Sequence, residues 1–184
     1  MSDPRDTPDL AALLGLFPSA CDVGRVEYVS ADAVPSPYHG LLVHEHHMTV
    51  TVEAFYGGLV DVRILEHRRD GDDYARKILL TLQDGGRVVQ YGIVRIRLSF
   101  CSSAVREAIL AGKTPLGRVL IEHDVMRRIE PTAFLRVEPG PTLTEWFGLS
   151  APEETFGRLA IIHCEGQPAI ELLEIVAPWN RVGV

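Results

Sequence analysis

The chain has 184 residues, 46% of them hydrophobic and 23% charged, with 25 acidic against 18 basic side chains and a formal net charge of −7. This length and balance fit one domain over residues 1–184 with a real core, and disorder is not the default. The acidic balance disfavours a dedicated nucleic-acid binder, which carries a basic face, but it allows a locally basic pocket built from Arg63, Arg68, Arg69, Arg76, Arg95, Arg97, Arg118, Arg127 or Arg128.

The first expected element is a helix, with Thr7 as cap, Pro8 in the first turn, and Leu10, Leu13, Leu14 and Phe17 at helical spacing. Met1 to Asp9 is acidic and Pro-rich, without the basic start of a signal peptide. Gly24 to Val29 reads as a short strand, and Pro35-Ser36-Pro37 as a loop. Met48 to Phe55 fits a strand by alternation and a helix by the spacing of Val52, Phe55 and Leu59. The stop signal Gly57-Gly58, with Thr49 as cap, favours the helix.

Three strand candidates follow: Val60 to His67, Tyr74 to Leu82 and Arg87 to Ser99. They are separated by the turns Asp70-Gly71-Asp72 and Asp84-Gly85-Gly86, short enough to imply antiparallel hairpins. A helix from Ser102 to Ala111 leads into Lys113-Thr114-Pro115-Leu116-Gly117-Arg118. Pro115 and Gly117 restrict and free the backbone there in a way that can aim successive N–H groups at an anion. Val125 to Val137 holds another strand, Pro139 to Pro152 reads as a loop-rich excursion, and Arg158 to Cys164 pairs with Ala169 to Ala177 through Glu165-Gly166-Gln167. Antiparallel strands with a few helices make an α+β fold.

Two side chains stand out against this pattern. Arg76 shares a strand face with Ile78, Leu80 and Leu82, and a guanidinium there must find an anion or acceptors. A structural ion pair is the competing explanation. In Ala169 to Ala177 both faces are apolar, so either Glu174 or Glu171 faces a cavity or an edge, and periodicity does not separate them. A carboxylate in apolar surroundings can serve as acid or base, or simply form a salt bridge.

The remaining candidates are weaker. His44-Glu45-His46-His47 lacks a third ligand placed by motif and lacks the helical His-Glu-x-x-His pattern, so no metal is expected. His67, His123 and His163 are isolated, and Arg127-Arg128 reads as a solvated face. Cys21, Cys101 and Cys164 are widely spaced and odd in number, which fits reduced thiols in a cytoplasmic protein. There is no Gly-x-Ser-x-Gly elbow, Walker loop or dinucleotide fingerprint. No apolar run approaches the roughly 20 residues of a membrane helix.

Taken in order, these residues resemble the chorismate lyase (chorismate pyruvate-lyase) family. The resemblance rests on Leu41-Leu42-Val43 followed by Met48-Thr49, on Ala75-Arg76-Lys77-Ile78, on Thr114-Pro115-Leu116-Gly117-Arg118, and on Gly157-Arg158 through Gly166-Gln167-Pro168. Glu174, four residues before Pro178, falls where the family places its active-site Glu, and Glu171 does not. The match covers about residues 41–178, leaving 1–40 as an N-terminal helix and loop.

The resemblance implies an antiparallel sheet with helices packed on it and an enclosed ligand site. It implies elimination of pyruvate from chorismate to leave 4-hydroxybenzoate, with no metal or redox cofactor. Arg76 would bind the ring carboxylate, the backbone at Leu116 and Met48 would complete the cradle, and Glu174 would meet the ring hydroxyl and assist proton movement. The expected partner is a small aromatic carboxylate, with no nucleic acid and no membrane. One alternative is a non-catalytic binder or sensor of such a molecule, since related folds serve as effector-binding domains of transcription regulators. Another is a lyase acting on a related enolpyruvyl or aromatic acid.

Overall fold

Local sequence signals set most element boundaries in the computed structural model, which describes residues 8–18 and 23–179. Helix α1 (Leu10–Gly15) starts where the Asp9 carboxylate accepts hydrogen bonds from the Ala11 and Ala12 amides at 2.7 and 3.2 Å. The first amides of a helix have no internal partner, and a short acidic side chain supplies one. The expected cap, Thr7, lies outside the described residues, and Asp9 takes the role.

Strand β1 (Arg25–Val29) and the short helix α2 (Tyr38–Leu42) follow. The ambiguous Met48 segment is helical, α3 (Met48–Tyr56), and stops at Gly57 with φ of 69°. Its N-cap is His47 rather than Thr49, which lies buried in the first turn.

Strands β2 (Val60–Asp70), β3 (Asp73–Leu82) and β4 (Val88–Arg97) form an antiparallel meander. Helix α4 (Ser103–Ala111) is capped by Ser102 and ends at Gly112, as its sequence indicates. The next stretch is not a loop throughout: Pro115 is an N-cap and Leu116 opens helix α5 (Leu116–Glu122).

Strand β5 (Arg127–Glu138) leads to the region read as loop, which contains helix α6 (Pro141–Trp146). Pro141 suits the first helical turn, where its missing N–H is not needed. Strands β6 (Thr155–Cys164) and β7 (Gln167–Val176) close the chain as a hairpin.

The seven strands form one antiparallel sheet in the order β1-β5-β6-β7-β4-β3-β2. On one face α1 and α6 bury Leu13, Phe17 and Leu143 against Leu79, Tyr91, Ile93, Leu173 and Ile175. The other face carries two helix pairs. Helices α2 and α3 pack on Ile78, Leu80, Phe156 and Val176, and α4 and α5 pack on Val94, Ile96, Ile170 and Leu172. The N-termini of α3 and α5 meet between the pairs, where a Cβ on Gly117 would lie 2.9 Å from His47 Cβ and 3.0 Å from Thr49 Oγ1. Among the described residues no helix is long and apolar enough to cross a membrane.

Candidate functional site

The sheet lays down the floor of the site by register. Ile78 pairs with Gly92, Gly92 with Glu174, and Glu174 with Arg158, so one row crosses β3, β4, β7 and β6. In the adjacent row Arg76 pairs with Val94 and Val94 with Leu172. The start of α3 (Met48, Thr49) and of α5 (Leu116, Gly117), with His47, closes the cavity above. Its free volume is about 40 Å³, room for a few water molecules as it stands. Neither helix has a side-chain cap, so their first backbone amides remain available.

All four residues singled out from the sequence, Arg76, Met48, Leu116 and Glu174, line this one cavity. Glu171 faces the opposite side of the sheet, where both its oxygens pair with Arg95, Oε1 at 2.8 Å from Nη2. Of the nine arginines proposed for a basic pocket, only Arg76 lines it. Arg118 instead donates to Glu53 and ties α5 to α3.

Arg76 is 1% exposed, and its Nε and Nη1 have no hydrogen-bond partner. Burial pulls its pKa down, while the neighbouring Tyr74 hydroxyl acts in the opposite sense. An arginine stays cationic even so. A buried cation with unmatched donors calls for an anion in the cavity.

Arg158 is a cavity-lining residue that sequence reasoning passes over. Its Nε donates to Glu174 Oε2 at 2.7 Å, its Nη1 to the carbonyls of Leu42 and His44 at 3.1 and 2.9 Å, and its Nη2 to that of His46 at 3.1 Å. It thus clamps the 42–46 segment onto β6 and β7. The signal that marks Arg76, a lone guanidinium among apolar neighbours, is present at Arg158 as well.

His47 borders both this cavity and a more open surface cleft, and shares that position with Ile129. Arg127 Nε donates to His47 Nε2 at 2.6 Å, so Arg127 is not simply solvated. Burial, then the charges of Arg127, Arg158 and His46, lower the His47 pKa to about 4. The His44 pKa is also lowered, first by burial and then by Arg158. The rings of His44 and His46 stack with centroids 5.5 Å apart. Among the described residues no three His, Cys, Asp or Glu side chains are arranged to hold a metal ion.

No protein-family model and no curated protein matches the sequence. Solved structures do. The chain is similar to the effector domain of PhnF from Mycobacterium smegmatis, with a TM-score of 0.55 and 12% identity over 72% of this chain and 88% of that one. It is similar to PhnF itself with the same TM-score and identity, over 73% of this chain and 65% of that one, so it spans about two thirds of PhnF. The ligand-binding domain of a putative GntR-family transcriptional regulator from Bordetella bronchiseptica matches at a TM-score of 0.48 and 17% identity, over 64% and 85%.

These counterparts bear out the expected fold, an α+β chorismate lyase-like domain with helices on an antiparallel sheet. The expected lyase activity is overturned: the PhnF domain that matches is an effector domain. Glu174, expected as the acid or base, is held by Arg158. Among the described residues that line the cavity, Arg76 is the cation with unmatched donors.

Proposed function

We propose that this domain is a non-catalytic sensor that binds a small aromatic carboxylate in the cavity between α3, α5 and the sheet. The observation that carries the reading is the buried Arg76 guanidinium with Nε and Nη1 unmatched. Arg76 takes the carboxylate, and the amides at Met48 and Leu116 complete the cradle from above. Glu174, fixed by Arg158, forms a polar wall that orients the ligand rather than moving protons. The effector role of the PhnF domain is carried over as part of this proposal.

The test is thermal unfolding with 4-hydroxybenzoate. At a hundred times Kd, a ligand that binds only the folded state adds about 2.7 kcal/mol, which raises Tm by roughly 5–10 °C in a domain of this size. Arg76→Met should remove the shift, and chorismate should yield no 4-hydroxybenzoate. Absence of any shift, or turnover of chorismate, refutes the proposal.

A further inference from the structure

Four ionisable side chains line the cavity: His47, Arg76, Arg158 and Glu174. Arg158 and Glu174 neutralise one another at 2.7 Å. His47 accepts a hydrogen bond from Arg127 through Nε2, which leaves the ring neutral with its proton on Nδ1. The charge left over is a single positive one, on Arg76.

A second polar group in the cavity lacks a partner. Gln90 is 3% exposed, and its Oε1 is buried without a hydrogen bond. A buried amide oxygen left alone is unfavourable, and such an exception in a cavity points to a missing partner. Gln90 lies four residues along β4 from Val94, the strand neighbour of Arg76, a separation of roughly 13 Å. Gly92 lies between them, with the Ile78 side chain against it. Arg76 and Gln90 thus sit toward opposite ends of the cavity floor.

We infer that the ligand is a monoanion whose far end carries an uncharged hydrogen-bond donor, with Arg76 taking the anion and Gln90 Oε1 reading the donor. The inference rests on the binding proposal above and sharpens it. A second anionic group would face an amide oxygen with no cation to match it, a strongly unfavourable burial. An apolar tail would leave Gln90 as it stands, unmatched. Gln90 is therefore the residue that sets specificity, distinct from Glu174, whose charge is already taken.

The experiment compares the calorimetric Kd of the whole chain for 4-hydroxybenzoate, 4-methylbenzoate and terephthalate at pH 7.5. 4-Hydroxybenzoate should bind about tenfold more tightly than 4-methylbenzoate, the worth of one buried hydrogen bond, and terephthalate should bind most weakly. In Gln90→Met the ratio of the two dissociation constants should fall to about twofold or less. A hydroxyl advantage that survives in Gln90→Met, or terephthalate binding as well as 4-hydroxybenzoate, overturns the inference and leaves the binding proposal standing. Failure of all three to bind overturns both. The terephthalate comparison uses the wild-type chain and decides the charge requirement even if Gln90→Met fails to fold.

Discussion

Arg158→Met should be among the most damaging single substitutions in this domain. The guanidinium is 1% exposed and serves Glu174 and the carbonyls of Leu42, His44 and His46. Its loss strands the Glu174 carboxylate, and breaking a buried pair from one side costs about 3–5 kcal/mol. The Leu42 carbonyl, where the Arg158 hydrogen bond is buried, adds about 1 kcal/mol. The sum, about 4–6 kcal/mol, lowers Tm by roughly 10–20 °C. Urea unfolding followed by circular dichroism measures it. The double variant Arg158→Met with Glu174→Met removes the charge together with its partner, and should lie within about 2 kcal/mol of wild type. Hydrogen exchange in the 42–46 segment should rise in both variants, because the clamp is gone in both. A single variant costing less than about 1 kcal/mol, or a double variant equal to the sum of the singles, would refute the reasoning.

Three further outcomes are expected. His47 titrates at about 4 when folded and near 6.5 when unfolded, so the unfolded state takes up the proton first as pH falls. Its contribution is complete above about pH 7, is lost between about pH 6.5 and 4 by up to about 3 kcal/mol, and falls no further below that. His47→Gln should flatten this part of the stability–pH curve from urea titrations. Gly117→Ala should destabilise by about 1–3 kcal/mol, since the added methyl meets His47 and Thr49 at about 3 Å. Calorimetry should also show weaker 4-hydroxybenzoate binding in that variant, because the starts of α3 and α5 are pushed apart. Glu171→Gln lies on the far face and breaks the pair with Arg95. It should lower stability by about 1–3 kcal/mol while the Kd for 4-hydroxybenzoate stays within about twofold.

Punctuation was the most legible layer of the sequence. Gly57 and Gly112 stop α3 and α4 in the left-handed conformation that glycine favours, and Ser102 caps α4. The cap of α3 was not legible, because His47 holds the position without a side-chain hydrogen bond to the helix. The choice between Glu171 and Glu174 could not be made from periodicity. Strand β7 is buried on both faces, and alternation carries no contrast when helices cover both sides of a sheet. Register resolves it, by pairing Glu174 with Gly92 on one face and leaving Glu171 to Arg95 on the other. Arg158 and Gln90 carried a usable signal, a polar side chain in an apolar strand. The lyase reading failed for another reason. The motif order reported the fold, and a shared fold does not fix a shared chemistry.

The strand order has a consequence for how the cavity comes into being. Strands β2, β3 and β4 are joined by tight turns, as are β6 and β7, whereas β4 meets β7 only after the chain has run through α4, α5, β5, α6 and β6. Closing that long loop, like the β1–β5 pairing, is an entropically demanding contact of the fold. The pocket straddles this seam, drawing Arg76 and Gln90 from one side and Arg158 and Glu174 from the other. Occupancy therefore acts as a rivet between the β2–β4 meander and the β6–β7 hairpin, each assembled from near neighbours. A bound molecule should slow the parting of β4 from β7 more than the fraying of any hairpin, making the amides of that seam the sensitive reporters of whether the chamber is filled.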